Sequence, residues 1–252
     1  MIVDELVNKI KKRAKERKIL EVCIGVKYTG VLLDDGSLGL AATLPHQLPH
    51  RCESFQDIVG KPSMEAAKMV FSPHLLPSVV GAATINALLL PEAEFEAVSG
   101  DILDLLPISG KDTVGMVGAF LPLLPSLRKK TRNIYVFERL PVDGVKEYYP
   151  DWAEPVYLPR CSIVIISGTT VVNKTIDQVL SYLNPSQTFG LVGPTTPLAP
   201  PVFSRYGLSF LSGVRIKDSA KIMNIIKQAG GTKDFGENAQ KVNYFLKCSG
   251  RF

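Results

Sequence analysis

The second half of the chain alternates short apolar runs with helical segments, and this alternation limits the fold more than any other feature. Continuous apolar runs of this length are typical of strands that are buried on both faces. Strands of this kind separated by helices predict an α/β fold with a parallel sheet covered on both sides. The predicted strands are Thr113–Val117, Asn133–Phe137, Ser162–Ser167, Thr188–Val192 and Leu208–Leu211.

Segments with helical spacing of apolar residues lie between these strands. One helical stretch follows the first strand and ends at Lys130. The other predicted helices in this half are Thr175–Leu183, Ser219–Ala229 and Glu237–Lys247.

The first half has strands followed by helices, which predicts a separate α+β unit. An amphipathic helix is expected over residues 4–18. Two β-rich runs flank an Asp-Asp-Gly-Ser turn and predict a hairpin. These runs, and the helices predicted after them, are Glu21–Leu33, Leu38–Leu44, Ser63–Phe71 and Leu76–Leu90. Since Gly100, Pro107 and Gly110 interrupt the chain, we expect domains at 1–97 and 111–252 with a linker at 98–110.

Charge and composition restrict the partners and the cellular location that we expect for this chain. The chain has 252 residues and a net charge of +5, and Lys9–Lys18 alone holds seven basic residues and one acidic residue. A basic helix can bind nucleic acid, but without interleaved aromatic residues or a second basic run we expect a solvated helix face and no nucleic-acid partner. No apolar run of eighteen residues and no signal peptide are present, and the four cysteines are scattered. We therefore expect a cytoplasmic protein with no membrane partner.

Residues at the carboxyl ends of the predicted strands are the first candidates for a site, because ligands of open parallel sheets bind there. Gly115 and Gly118 follow the first strand in a G-x-x-G turn that could approach a ligand at a helix start, or could simply be a tight turn. Glu138 lies twenty positions after Gly118, where dinucleotide folds place an acid on the ribose. A solvated or locally paired acid is the alternative.

The third and fourth strands end in hydroxyl and amide groups. Asn173 could bind a ligand or cap the following helix. Parallel strands end on one edge, so we expect the four strand ends to converge on one ligand. The candidates after these two strands are Thr169, Thr170, Asn173, Thr175, Gly193, Thr195 and Thr196.

Several common chemistries are disfavoured. All three histidines lie in the first half, so the predicted sheet holds no Ser-His-Asp set. The chain also has no G-x-x-x-x-G-K-[ST] phosphate loop. His46, His50 and Cys52 form an H-x3-H-x-C pattern that could bind a divalent transition metal, or could be a loop without a ligand.

The ordered motifs of the second half resemble a family of uncharacterised bacterial and archaeal proteins described as putative heavy-metal-chelation domains. The resemblance covers roughly residues 110–235. The motifs are VGMVG with Phe120, Pro122 and Leu123, then VFER at 136–139, SGTTVVNKT at 167–175, GPTTPL at 193–198 and LSGV at 211–214. The first half, with GLA at 39–41 and GAATINA at 81–87, is similar to the enolase N-terminal-like domain that usually precedes it.

The resemblance implies a Rossmann-like domain packed on a smaller domain, with a site in the cleft between them. Three positions depart from the family pattern: Lys174 replaces a more usual glycine, Leu140 a polar residue and Thr195 a serine. Carried over by position, the implied site draws on Asn86, Gly118, Phe120, Glu138, Thr169, Thr170, Asn173, Thr195 and Thr196.

Two functions follow from these observations. The first is a small-ligand-binding protein that handles a heavy metal or a metal–chelate complex in the interdomain cleft. The alternative is an enzyme that uses a nucleotide-like cofactor, of the NAD or S-adenosylmethionine class, in the same cleft. The oligomeric state stays open, and a homo-oligomer is one alternative.

Overall fold

The first part of the chain is a three-stranded antiparallel sheet packed against helices. The structure is a computed structural model and describes residues 1–50 and 55–246. The strands lie in the order β1-β2-β3. The elements are α1 (Ile2–Glu16), β1 (Ile19–Ile24), β2 (Tyr28–Leu33), β3 (Leu38–Ala42), α2 (Ser63–Lys68) and α3 (Leu75–Leu88).

The predicted hairpin is present: β2 and β3 pair antiparallel on either side of the Asp-Asp-Gly-Ser turn. The run predicted as one strand, Glu21–Leu33, is two strands, because the chain turns back at Gly25, whose N–H donates to the carbonyl of Tyr28 at 3.0 Å. The sheet is therefore a three-stranded meander. Gly25 also packs tightly, because a β-carbon there would lie 2.6 Å from the carbonyl oxygen of Ile226, a contact that local sequence does not reveal.

Helix α3 is the centre of the first part. It is apolar on all sides, as expected for a helix buried on all sides, and twelve of its fourteen residues are buried. Strand β3 approaches it closely at Gly39, where a β-carbon would lie 2.0 Å from the carbonyl oxygen of Ala83. Any larger residue at position 39 would push the sheet away from the helix.

The second part contains the predicted parallel sheet, extended by antiparallel strands at one edge. The strand order is β4-β11-β10-β9-β8-β5-β6-β7, with parallel pairing from β10 to β7. The strands are β4 (Ala97–Ser99), β5 (Thr113–Val117), β6 (Asn133–Glu138), β7 (Tyr148–Pro150), β8 (Ile163–Ser167), β9 (Thr188–Val192), β10 (Phe210–Ile216) and β11 (Ala239–Phe245).

The order of the six parallel strands is that of a doubly wound sheet. Numbered along the chain from β5, they lie as 3-2-1-4-5-6, which is the Rossmann order. Within the described residues, no helix has both the length and the apolar character to cross a bilayer. The helices are α4 (Ile102–Leu105), α5 (Leu124–Lys130), α6 (Glu154–Tyr157), α7 (Thr169–Val172), α8 (Ile176–Ser181), α9 (Pro200–Phe203) and α10 (Ser219–Lys227).

The predicted final helix, Glu237–Lys247, is wrong. Residues Ala239–Phe245 form β11, which pairs antiparallel with β10 on one side and β4 on the other. Asn243 is fully buried and donates from Nδ2 to the carbonyls of Val98 and Gly100, at 3.0 and 3.1 Å. These partners are distant in sequence, so local spacing could not reveal the strand. The predicted linker at 98–110 contributes to β4 and contains α4.

The two parts pack against each other through apolar side chains and buried hydrogen bonds. Residues of α3, β8 and α7 belong to one continuous apolar core. The hydroxyl of Ser78, in α3, donates to the carbonyl of Val172, in α7, at 2.6 Å. The N–H of Ile2 donates to the carboxylate of Asp177 at 3.1 Å. The sites described next therefore have walls from both parts.

Candidate functional site

A cavity of about 410 Å³ opens at the carboxyl ends of β5, β6 and β8. This is where the strand order reverses, which is the usual ligand position in a doubly wound sheet. Leu44 and Gln47, from the first part, close one side. We call it the sheet-edge cavity; its polar lining includes Glu138, Arg139, Asp151, Glu154, Ser167, Thr169, Thr170, Asn173 and Thr175.

Gly118 forms the turn after β5. Its φ is +90°, a region that favours glycine, and a β-carbon there would lie 2.9 Å from the β-carbon of Ser167. Helix α5 begins only at Leu124. The expectation that this glycine turn opens directly into a helix is therefore wrong, because an irregular loop separates the two.

Glu138 holds the same turn in place from β6. One carboxylate oxygen accepts a hydrogen bond from the N–H of Ala119 at 3.1 Å, and the other accepts from the N–H of Arg139 at 3.0 Å. Because each oxygen has a second lone pair, the carboxylate can still accept from a ligand. In the structure, however, it already accepts from two backbone N–H groups at this edge of the sheet.

The turn after β8 presents hydroxyl groups. The hydroxyls of Ser167 and Thr169 lie 2.7 Å apart and share a hydrogen bond. Thr170 is buried, and its hydroxyl donates to the carbonyl of Ser167 at 2.7 Å. Ser167 and Thr169 are therefore the hydroxyls most available to a ligand here.

Asn173 stabilises a turn and is not the residue that caps α8. Its Oδ1 accepts from the N–H of Thr175 at 3.2 Å and from the Thr175 hydroxyl at 2.8 Å. The helix begins after these residues, at Ile176, so the predicted capping role is wrong. The Asn173 Oδ1 is thus occupied within the protein, and its amide nitrogen is the group that can donate to a ligand.

Lys174 lies between Asn173 and Thr175 and has a φ of +64°, which residues other than glycine rarely adopt. Its Nζ reaches the first part and donates to the hydroxyl of Ser78 at 2.8 Å and to the carbonyl of Val172 at 3.2 Å. Burial lowers the pKa of this ammonium group. The geometry explains why a glycine would suit position 174, and what a lysine adds there.

The part of the lining formed by Arg139, Asp151, Trp152 and Glu154, called here the acidic wall, was missed from the sequence. Arg139 donates to the side chain of Gln47 at 3.0 Å and lies 3.4 Å from the carboxylate of Asp151. Trp152 is 77% exposed at the cavity's edge. These acidic and aromatic residues follow β7, a strand of only three residues. The available signal was the polar segment after Tyr148-Tyr149.

Glu154 is the titrating group of this wall. Burial raises its pKa to about 7, and the carboxylates of Asp151 and Glu138 act in the same direction against the guanidinium of Arg139. A carboxyl group that is half protonated near neutral pH can donate or accept a proton.

The fourth strand end faces elsewhere. The hydroxyl of Thr195 accepts from the N–H of Ala42 at 2.9 Å. Asn86 donates from Nδ2 to the carbonyls of Thr195 and Leu40, at 3.0 and 2.8 Å. Asn86 and Thr196 line a second cavity, between the first part and the sheet. The structure therefore divides the predicted set, bringing three strand ends together and placing the fourth beside them.

The other candidate glycines pack within the protein, whereas Pro122 does not. Gly115 lies inside β5, where a β-carbon would be 2.9 Å from the sulfur of Cys161. Gly193 has a φ of +105° and lies against the ring of Phe120. Pro122 is exposed in the loop before α5.

The proposed metal ligands are not assembled in the described residues. His46 lies in a turn of 3-10 helix, Pro45–Gln47, and both His46 and His50 are exposed. Cys52 lies outside the described residues. Across residues 1–50 and 55–246, no group of three or more His, Cys, Asp or Glu side chains is placed to hold a metal ion.

Two family profiles match the chain, and both are described as putative heavy-metal chelation. One matches residues 101–245, more than half of the chain, and the other matches residues 7–89. An uncharacterised protein of Methanocaldococcus jannaschii is 29% identical over 255 residues, covering 96% of each chain.

Solved structures show the same fold. A protein of unknown function from Pyrococcus horikoshii, of the family matched by the longer segment, superposes with a TM-score of 0.85 at 23% identity, covering 98% of this chain and 100% of the other. A second member, from Desulfitobacterium hafniense, has a TM-score of 0.80 at 27% identity and covers 97% of each chain.

Proposed function

The chain belongs to the family described as putative heavy-metal chelation, and from this premise we propose that it binds a small polar organic molecule in the sheet-edge cavity. The metal would then be cargo, carried as a complex with that molecule. One observation supports this most: the cavity wall is built from hydroxyl, amide and carboxylate groups.

These groups suit an organic molecule better than a bare heavy metal. Soft metal ions prefer thiolate and imidazole ligands, whereas this lining supplies oxygen atoms and an amide. The volume of about 410 Å³ also falls in the range of small-molecule pockets. A chelator that brings its own metal ligands would need only polar recognition from the protein.

Each wall has a distinct part in binding. Thr169 and Asn173 offer a hydroxyl and an amide N–H from one side. Arg139, in the acidic wall, contributes a guanidinium group, which also donates to Gln47 of the first part. The exposed ring of Trp152 can cover a flat molecule at the edge. The two walls together favour a ligand with both hydrogen-bonding groups and a planar apolar face.

Native mass spectrometry of the freshly purified full chain tests for a retained molecule. Isothermal titration would then compare free Zn²⁺, Ni²⁺, Co²⁺ and Cu²⁺ with the same ions bound to a small chelator such as nitrilotriacetate or histidine. We expect the complexes to bind more tightly than the free ions. Thr169→Val and Arg139→Ala should weaken that binding about tenfold each, a loss in the range of one charge-assisted hydrogen bond.

Matched variants separate the alternatives. Thr188→Val makes the same change in β9, outside the cavity, and should leave binding unchanged. A His46→Ala/His50→Ala variant tests a metal held by the protein itself. Free metal binding that disappears in the histidine variant, together with indifference to Thr169→Val, would contradict the proposal.

A second candidate function is an enzyme that uses a nucleotide-like cofactor in the same cavity. Glu154 favours it, because a carboxyl group with a pKa of about 7 suits proton transfer at neutral pH. A thermal-shift panel with NAD, S-adenosylmethionine and nucleotides tests it. A shift that Arg139→Ala removes would support this function, and a flat panel with no retained nucleotide would exclude it.

A further inference from the structure

A second cavity, of about 380 Å³, lies between β3, α3 and β10, away from the hydroxyl turn of β8. Its walls combine polar side chains with apolar ones from both parts of the chain, the latter including Leu40, Leu89, Leu198 and Val214. Its volume is close to that of the sheet-edge cavity and lies in the range of small-molecule pockets. We call it the inter-part cavity.

Two polar atoms of its lining residues have no hydrogen-bond partner among the described residues. Thr196 is 3% exposed, and its hydroxyl oxygen makes no hydrogen bond with any described residue. The Oδ1 of Asn86 is likewise buried and unpaired, although its Nδ2 makes two hydrogen bonds. A buried polar atom without a hydrogen-bond partner loses its hydration without compensation, which is unfavourable. Polar groups from a bound molecule or its water would remove that cost.

The charge of the cavity is positive and only partly neutralised. Arg13 is fully engaged: it donates to Asp35 at 2.7 Å and to the carbonyls of Ala87 and Leu88. Burial opposes ionisation of Asp35, but hydrogen bonds from Arg13 and Ser37 hold its pKa at about 2, so this pair stays charged and balanced. The remaining cations of the lining are Arg215 and Lys217.

Among the described residues, neither cation forms an ion pair with a carboxylate. Both side chains are exposed, and Arg215 donates to the hydroxyl of Tyr244 at 3.1 Å. A pocket that combines apolar side chains with two cations lacking an acidic partner among the described residues suits a molecule with an apolar body and an anionic group.

We propose that the inter-part cavity binds a small organic carboxylate or phosphate, with its apolar body between Leu40 and Leu198 and its anionic group at Arg215 and Lys217. The hydroxyl of Thr196 supplies a further hydrogen bond. This site is separate from the sheet-edge cavity: the turn that carries Thr195 and Thr196 lies between them.

Matched acid and amide probes test the charge requirement. Isothermal titration of the full chain would compare indole-3-acetate with indole-3-acetamide, octanoate with octanamide, and phenyl phosphate with inorganic phosphate. We expect at least one organic anion to bind, at least tenfold more tightly than its uncharged or apolar-free counterpart. The double variant Arg215→Glu/Lys217→Glu should weaken that binding at least tenfold, while Lys111→Glu, an exposed charge reversal elsewhere, should not.

Further variants place the anion in this cavity. Thr196→Val should weaken binding about threefold to tenfold, and Thr188→Val should have no effect. Thr169→Val alters only the sheet-edge cavity and should leave the anion's affinity unchanged, so this proposal and the proposed function fail separately. Absence of binding by all three organic anions, equal binding of the amides, or full affinity in the charge-reversal variant would each overturn the proposal.

Discussion

The α-carbon of Gly168 lies against the backbone of Thr196, so that a β-carbon at residue 168 would be 2.5 Å from the Thr196 nitrogen. This contact joins the turn after β8 to the turn after β9. The two turns line different cavities, Ser167 and Thr169 in one and Thr196 in the other, so we call the contact between them the partition.

Gly168→Ala should therefore destabilise the protein. The added methyl group meets the backbone of Thr195 and Thr196, and overpacking of this kind costs about 1–3 kcal/mol. Urea denaturation of the purified variant would measure the loss. Gly110→Ala is the matched control, because the nearest atom to its β-carbon would be 4.0 Å away. Equal stability of Gly168→Ala and wild type would show that the partition is not rigid.

Two substitutions of Lys174 separate the cost of backbone strain from the contribution of the side-chain hydrogen bonds. Lys174→Ala keeps the unfavourable φ and loses the hydrogen bonds to Ser78 and Val172, so it should cost about 1–2 kcal/mol. Lys174→Gly loses the same bonds but relieves a strain of about 1 kcal/mol. We expect thermal denaturation to rank stability as lysine, then glycine, then alanine. An alanine variant as stable as the glycine variant would contradict the role given to φ.

Local pattern was enough to predict the parallel strands, but not the edge of the sheet. The strand Ile163–Ser167 is a continuous apolar run buried on both faces, so its burial is visible in its composition. In β11 the deciding contact is Asn243 with Val98 and Gly100, about 140 residues earlier in the chain. When a polar residue is buried only because of a distant partner, the local sequence predicts that it lies on the surface.

For the candidate site too, part could be predicted from the sequence and part could not. Strand topology predicted that Gly118, Glu138 and Thr169 would meet, because the ends of neighbouring parallel strands share an edge. Topology does not fix the direction of a side chain after the strand has ended. Thr195 turns toward Ala42 of the first part and leaves the shared cavity. Glu154 was missed because it follows β7, whose three residues are too few for a periodic signal.

Glu154 should make stability depend on pH. Its folded pKa, about 7, lies above the ordinary value of 4.5, so the folded state holds a proton that the unfolded state releases. The resulting stability is fully present below about pH 4.5 and is lost as the pH rises through 7. Glu154 is partly exposed, so solvent screening reduces the effect to about 1–2 kcal/mol.

Glu154→Gln removes this ionisation while keeping the shape of the side chain. Melting temperatures measured from pH 4.5 to 8 should fall more for the wild type than for this variant. Asp143→Asn, an exposed acid outside the cavity, should keep the wild-type dependence. If the wild type and Glu154→Gln showed the same dependence of melting temperature on pH, Glu154 would be ionised throughout this range.

Glu138→Gln should loosen the turn after β5. The carboxylate accepts from two backbone N–H groups, of Ala119 and Arg139, and an amide can accept at only one of these positions because its nitrogen is a donor. The variant therefore sets a donor against a donor, at a cost of about 1–2 kcal/mol for a partly exposed charge-assisted bond. Hydrogen exchange of either the Ala119 or the Arg139 amide should accelerate about tenfold, while the amide of Val136, within β6, keeps its wild-type rate. Unchanged exchange at both Ala119 and Arg139 would mean that Glu138 does not hold this turn.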